Sequence, residues 1–468
     1  MKKRQEESNN GVSRRNFIGA AATTAAAFTI VPRHVLGGPG VVAPSDKLNI
    51  ACVGIGGKGH SDSRAMKNEN VVALCDVDEV RAASGHEKKD SPFDWYPKAK
   101  FYRDYRVMLD KEKDIDAITV STPDHTHAIV ALTAMKQGKH VFVQKPLTHT
   151  IHEARVLNEA SKKYGVITQM GNQGHAGEGG RLVNEWIWDG AIGDVYEAHA
   201  WTNRPIWPQG ISAPTETPSV PPTLDWNLWL GPMKWRPYHP SYVPFAWRGF
   251  WDFGTGALGD MGAHIIDHAY WPLKLTHPTS VQASSTVFTK DSPPIASMVT
   301  YNFPEREGMV PVKLMWYDGG LMPARPELIE QGRKMGDGGG GVLFVGTKGA
   351  IMCSTYGRNP RIIPETNMKD YLKSQKANGG PKVKLERSPG IHEEWLQAIK
   401  DGKKDMATTN FEYSGPLTET MLLGNVAVQM ADKNIKLDYD GKTGEFTNSD
   451  EANEFLHTDY RNGWDLTL

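Results

Sequence analysis

Between Trp251 and His268 the chain sets Asp260 and His264 four residues apart, in the run Gly254-Thr255-Gly256-Ala257-Leu258-Gly259-Asp260-Met261-Gly262-Ala263-His264. On a helix that spacing puts carboxylate and imidazole on one face. An acid beside an imidazole is what hydride transfer from an alcohol needs: His264 takes the hydroxyl proton, while Asp260 holds the ring and stabilises its cationic form. Asp267 and His268 follow, and four such groups on successive turns raise the question of a metal. They fall on a different part of the helix from Asp260 and His264, so no metal is assigned.

Elements that could position such a pair begin upstream. The apolar run Leu48 to Val53 ends in Gly54-Ile55-Gly56-Gly57-Lys58-Gly59, and a helix-compatible stretch from His60 to Lys67 follows. In a strand, turn and helix of this kind, Gly54 permits the tight turn, Gly56 lets the backbone approach a pyrophosphate, and Gly59 lets the helix pack close. The helix N-terminus offers unpaired N–H groups to the anion. A second run, Val71 to Cys75, ends in Asp76 at about the 20-residue offset of an acid that binds the adenosine ribose. No arginine directly follows Asp76, so a 2′-phosphate would meet negative charge and NAD is favoured over NADP. Lys58 and Arg81 are the cations that temper this preference.

The alternation continues through Ile115 to Val120, the loop Ser121-Thr122-Pro123-Asp124-His125-Thr126-His127, a helix from Ala128 to Gln137 and the run His140 to Val143. Polar loops at the carboxyl ends of parallel strands are where cofactor and substrate meet. Thr122, Pro123 and His125 are therefore candidates for the nicotinamide side of the crevice. Next comes Gln144-Lys145-Pro146, which places a lysine between a buried strand and a proline, an unusual setting for a solvated side chain. A helix from His152 to Tyr164 and the run Val166 to Met170 complete this half.

The succession GIGGKG, CDVD, STPDHTHA and QKPLTHT resembles the Gfo/Idh/MocA oxidoreductase family. The resemblance implies an α/β fold: an N-terminal Rossmann domain with a doubly wound parallel sheet, here 46–170, and a C-terminal α+β domain with an open, mainly antiparallel sheet, here 171–468. It also implies that Lys145 reaches the substrate hydroxyl and the cofactor, that Pro146 follows a bent, often cis, peptide, and that Asp260 and His264 form the acid/base pair. Assembly as a homo-oligomer is implied as well. The family's Glu-Lys-Pro is Gln144-Lys145-Pro146 here, which reopens how the pKa of Lys145 is set. Its Gly-Gly-Gly is Gly254-Thr255-Gly256.

In the second half, Gly171-Asn172-Gln173-Gly174-His175 opens the domain, and the runs Val281 to Phe288, Met298 to Phe303 and Val312 to Tyr317 read as antiparallel strands. Two Gly/Pro-rich insertions, Ile206 to Thr223 and Pro323 to Gly341, are long enough to form rims or lids. The aromatic residues Trp226, Trp229, Trp235, Tyr238, Tyr242, Trp247, Phe250 and Trp251 cluster nearby; most belong to packing. Flat aromatic faces interleaved with arginine suit sugar rings, which selects Arg204 and Trp207, then His175 and Arg248, as substrate contacts. Helices over Ile391 to Lys400 and Thr420 to Met430 are expected to return the tail to the first domain.

Composition narrows the remaining classes. A chain of 468 residues with 39% hydrophobic residues and a formal charge of −1 has no electrostatic bias toward nucleic acid or an anionic membrane. Cys52, Cys75 and Cys353 show no paired or zinc-binding spacing, and the first two sit in apolar runs as small core residues. At the N-terminus, Ser13-Arg14-Arg15-Asn16-Phe17-Ile18 precedes a mild apolar stretch from Gly19 to Val31. This twin-arginine pattern, within a leader of 1–43, directs the protein to the periplasm. The stretch falls short of the roughly 20 apolar residues of a membrane span. Outside the cytoplasm NAD has to be carried along, held tightly and recycled within each cycle. The expected activity is therefore oxidation of a ring hydroxyl of a sugar or glycoside. An NAD-dependent glycoside hydrolase or lyase acting through a transient keto-sugar, and a non-catalytic sugar-binding protein, are the competing readings.

Overall fold

Six short runs of small and branched apolar residues pair into one parallel sheet: β1 (Asn49–Val53), β2 (Asn70–Cys75), β3 (Lys100–Tyr102), β4 (Ala117–Val120), β5 (His140–Val143) and β6 (Thr168–Met170). The computed structural model describes residues 46–83 and 90–468, so the leader 1–43 lies outside the described residues. Asn49–Leu468 form one unit. The strand order is β3-β2-β1-β4-β5-β6, all parallel. This is the doubly wound arrangement, with its topological switch point between β1 and β4. Every residue of β4 is buried, as expected of a strand covered on both faces.

The longer helices around this sheet are α1 (Lys58–Ala65), α2 (Tyr105–Lys111), α3 (Asp124–Lys136) and α4 (Ile151–Tyr164). A capping box of Thr150 and Glu153 starts α4, and Gly165 at φ 63° ends it in the left-handed conformation. Helix α3 begins four residues earlier than the sequence suggests. Pro123 is its extended N-cap and Asp124 lies in its first turn, where a carboxylate complements the helix dipole. Asp124, His125, Thr126 and His127 are therefore helical, not loop.

The rest of the chain builds a nine-stranded sheet from β7 (Val195–Thr202), β8 (Ser280–Ser285), β9 (Ser297–Phe303), β10 (Val312–Tyr317), β11 (Gly340–Gly346), β12 (Gly349–Ser354), β13 (Arg361–Ile363), β14 (Leu437–Asp440) and β15 (Glu445–Phe446). Its order is β13-β12-β11-β7-β10-β9-β8-β14-β15, with β7 and β10 parallel and the other pairs antiparallel. Burial alternates along β9, where Val299, Tyr301 and Phe303 face the core. This is the signature of a sheet covered on one face. The expected fold class, a Rossmann domain followed by an α+β domain with an open sheet, is the one observed.

Helices α5 (Glu178–Trp188), α6 (Gly256–Ile265), α7 (Glu365–Asn378), α8 (Ile391–Asp401) and α9 (Phe411–Gln429) complete the longer elements. The last of these starts at Phe411, upstream of the expected Thr420, because Asn410 caps it by accepting from the N–H groups of Glu412 and Tyr413. Helix α8 lies against the first sheet, with Trp395 packed on Phe142 at 5.7 Å and Lys400 bonded to Glu69. Helix α9 meets α4 through Arg155 and Glu419 at 2.7 Å. The three cysteines are free and buried.

Candidate active site

The carboxyl ends of β1, β2, β4 and β5 open into a crevice of about 1220 Å³ whose far wall comes from α6 and the segments after β7 and β12. That exceeds the roughly 300–1,000 Å³ of a pocket for one drug-sized ligand, leaving room for a dinucleotide and a second molecule. Gly54 adopts φ 74°, and a Cβ there would lie 2.8 Å from the Ser121 backbone. A Cβ on Gly59 would overlap the Gly54 carbonyl. These two positions need glycine for the turn and for close helix packing, as the motif requires. Gly57 precedes α1 without a side-chain cap, so the helix offers its N–H groups to an anion. Gly54, Gly56, Gly57, Lys58, Asp76, Thr122 and Pro123 line the crevice. The residues thus fit a dinucleotide at this loop.

Asp76 has a further task. Its Oδ2 accepts from the backbone N–H groups of Ile55 (2.9 Å) and Gly56 (3.2 Å), and its Oδ1 accepts from Asp78 (3.0 Å). It fixes the Gly-rich turn as well as facing the crevice. Burial pushes its carboxyl up, and the three N–H donors oppose that shift only in part. Ile55 is fully buried and contributes through this N–H; neither it nor Gly59 lines the crevice.

Lys145, Asp260 and His264 come together on the crevice wall. The Lys145–Pro146 peptide is cis. Lys145 Nζ donates to Asp260 Oδ1 at 2.6 Å and to the Asp260 carbonyl at 3.1 Å, and both side chains are nearly buried, at 13% and 11% exposed. Arg248 Nε lies 3.4 Å from the same Asp260 oxygen. Burial opposes ionisation of Asp260, but Lys145 and Arg248 outweigh it and hold the carboxyl well below the usual range. Burial pulls the Lys145 ammonium down, Asp260 resists, and Arg248 adds to the lowering. On spacing alone, Asp260 is expected to hold the His264 imidazole. Asp260 instead bonds to Lys145, which follows β5, while His264 Nδ1 is buried without a partner among the described residues. Burial and then Lys145 lower His264 well below an ordinary histidine, which leaves a neutral imidazole able to accept a proton.

Gln144 does not act on Lys145 Nζ. Its Nε2 donates at 2.9 Å to Asp62 Oδ2, which also accepts from Ser121 Oγ at 2.8 Å, while Asp62 Oδ1 meets Lys58 Nζ and His392 Nε2, both at 3.0 Å. Asp62 is fully buried. Burial raises its carboxyl, yet His392, Lys58 and Ser121 leave it below the ordinary value.

Of the expected substrate contacts, Arg204, Trp207 and Arg248 line the crevice. Arg248 is committed to acids: its Nη1 donates to both oxygens of buried Asp124 at 3.0 and 3.2 Å. His175 does not reach the crevice. It is buried behind the wall, bonding Asp267 through Nδ1 at 3.0 Å and stacking on Trp271 at 4.1 Å, because the turn 173–176 points its ring inward. His125 is likewise displaced. In the first turn of α3 its ring nitrogens lie 3.2 and 2.9 Å from the carbonyls of Phe253 and Trp229, and burial lowers it to about 4. The aromatic string is mostly core: Trp226, Trp229, Tyr238, Tyr242, Trp247 and Phe250 form one buried cluster, while Trp235 is exposed.

Sequence reasoning passed over Tyr356, Arg358, Phe245 and Gln173, all of which line the crevice. Tyr356 adopts φ 62°, unusual for a bulky residue, and meets the His264 ring edge-on at 4.7 Å. The only available signal was a polar turn, Tyr356-Gly357-Arg358-Asn359-Pro360, between two apolar runs. Asp124 was also missed; its burial, not its sequence position, makes it an anchor for Arg248 and Thr255.

Two family models match the chain, an oxidoreductase family with NAD-binding Rossmann fold over 48–172 and its C-terminal alpha/beta domain over 197–309. The chain belongs to the Gfo/Idh/MocA oxidoreductase family. Similar members of the family include a levoglucosan dehydrogenase of Pseudarthrobacter phenanthrenivorans, 28% identical over 166 residues, 36% of this chain and 35% of that one. A protein named glycosyl hydrolase family 109 protein from Shewanella baltica is 27% identical over 217 residues, 41% and 46% of the two chains. The matches thus span less than half the length of either relative. Among solved structures, the WlbA dehydrogenase from Bordetella pertussis, in complex with NADH and UDP-GlcNAcA, superposes with a TM-score of 0.55 at 16% identity. It covers 84% of this chain and 99% of that one, a likeness of fold.

Proposed function

We propose that this family member is an exported, NAD-dependent oxidoreductase that oxidises a ring hydroxyl of a sugar or glycoside, with a tightly held cofactor that returns its hydride to the carbonyl of a second sugar in each cycle. The observation that carries the reading is the convergence of Lys145, Asp260 and His264 on the wall of the crevice that begins at the Gly-rich turn. NAD, when bound, supplies the hydride acceptor. His264 takes the hydroxyl proton as the C–H bond breaks, and its depressed pKa keeps it free to do so. Lys145 has three donors, two of them bonded to Asp260; the third is free to meet the substrate oxygen as charge develops there. Asp260 holds Lys145, and Arg248 with Asp124 holds Asp260. Trp207, which lines the crevice, offers an aromatic face to the sugar.

Residues Ser13 to Val31 support export to the periplasm. The 27% identical relative named as a glycosyl hydrolase favours a second reading. There, transient oxidation acidifies the neighbouring C–H, a glycosidic substituent is eliminated, water adds, and the ring is reduced again. The test is to purify the mature protein without added cofactor and follow the near-ultraviolet band of reduced nicotinamide while glycosides are added. Lasting reduction supports net oxidation, and cleavage of a glycoside without net reduction supports the second reading. If no dinucleotide co-purifies and none binds, both fail and a sugar-binding role takes their place.

A further inference from the structure

The charges around the crevice do not cancel evenly. Lys145 and Arg248 face Asp260 and Asp124, Lys58 faces Asp62, and Arg103 faces Glu79. Glu178, another acid that lines the crevice, is bonded to Arg387. Arg204 and Arg358 also line the crevice, yet neither meets a carboxylate among the described residues. Arg204 Nη1 donates only to the amide oxygen of Asn203, at 2.6 Å. Arg358 lies over the Tyr356 ring at 5.2 Å.

Both arginines sit at the reacting end. The same Tyr356 ring meets His264 at 4.7 Å, so one aromatic ring separates the Arg358 guanidinium from the proposed base. Burial raises the Tyr356 hydroxyl and Asp260 adds to it, while Arg204 and Arg358 each oppose the shift. Their loops are fixed in advance. The Arg358 carbonyl accepts from Ser354 N–H at 2.7 Å, Thr355 Oγ1 donates to Asp337 at 2.7 Å, and the Arg204 carbonyl accepts from Gly319 N–H at 2.6 Å. Two guanidinium groups held without acids on one wall form a site for planar, multidentate recognition of an anion.

Resting on the oxidoreductase reading, we infer that the substrate is an acidic sugar, its anionic group carried on the ring that is oxidised and bound between Arg204 and Arg358. A uronate carboxylate and a sulfate ester share this chemistry, and a neutral sugar leaves both arginines unanswered.

The experiment uses the NAD-loaded protein. Binding of matched methyl glycosides (neutral hexoside, uronide and sulfated hexoside) is measured by calorimetry at low and moderate salt, and reduction of the bound nicotinamide is followed in parallel. At least one acidic ligand is expected to bind tenfold or more tightly than its neutral partner. That margin should shrink with salt, as a charge-based contact must. It should fall to less than threefold in R204Q and R358Q, and this loss of preference distinguishes anion recognition from a general loss of fold. The uronide and sulfate arms identify which anion is read. Neutral ligands bound as well as acidic ones, or no binding by any of the three, overturns the inference. Oxidation of neutral sugars without acidic preference would leave the oxidoreductase reading standing while this one falls. Tight uronide or sulfate binding without nicotinamide reduction would keep the anion site between the two arginines but overturn the oxidoreductase reading, and with it the ligand's assignment as substrate.

Discussion

Gln144→Glu restores the acid usual in the family's Glu-Lys-Pro motif, and in this protein it should destabilise. Gln144 Nε2 donates at 2.9 Å to a fully buried carboxylate, Asp62, that already collects Ser121, Lys58 and His392. A glutamate there would face Asp62 at hydrogen-bond distance. Two charges about 3 Å apart at an effective dielectric of about 20 repel by ~5–6 kcal/mol. Sharing one proton avoids this. At pH 7 holding that proton costs ~1.4 kcal/mol for each unit above an ordinary glutamate pKa of about 4.3, or ~3–4 kcal/mol. The cheaper route prevails, so Q144E should keep the proton, with a folded-state pKa raised above the unfolded value. The folded state then binds more protons than the unfolded, and stability falls as pH rises through the unfolded pKa. For a unit of this size the loss corresponds to a Tm about 4 °C below the parent at pH 7, narrowing to about 1 °C at pH 5. Thermal unfolding of both proteins across that range checks it. Equal Tm values at pH 7, or a deficit that does not shrink on acidification, would refute the assignment of Asp62 as an ionised acceptor of Gln144.

Three further outcomes follow from the site. Lys145→Met should lower kcat by roughly 10²-fold or more and destabilise by up to about 3–5 kcal/mol, because Asp260 loses its 2.6 Å partner and keeps only Arg248; steady-state rates and denaturation midpoints report the two effects. His264 is held well below 6.5, so kcat/KM should stay level between pH 7 and 6, where a base of pKa about 6.5 would lose about threefold. A decline of that size in the pH profile would count against His264 as the base. Asp76→Ala removes the acceptor of the Ile55 and Gly56 N–H groups and should weaken NAD binding at least about tenfold, measured by fluorescence titration of the apoprotein.

The sequence determined the Rossmann half closely because its signals are local. Gly54 and Gly59 are demanded by a backbone turn and a close contact between neighbouring elements, and Asp76 ends the next strand at a fixed offset. Asp260 and His264 could be placed on one helix by spacing alone, and Lys145 through its motif. What spacing could not decide was which of these groups would touch. Asp260 bonds to Lys145, 115 residues away, and not to His264 one turn along, since the partner depends on how the turn after β5 meets α6. The same limit misplaced His125 and His175. Each stands beside a motif, but a histidine's direction is set by the carbonyls and carboxylates that tertiary packing brings to it, here Phe253, Trp229 and Asp267. Gln144 appeared as a departure without a cause until folding put Asp62 against it across 82 residues. Arg358 and Tyr356 carried no signal beyond a polar turn, because a surface turn acquires meaning only when the sheet delivers it to the crevice. Local backbone geometry is written in consecutive residues. The pairing of buried charges is a property of the packed chain, where each must find its partner once water is excluded.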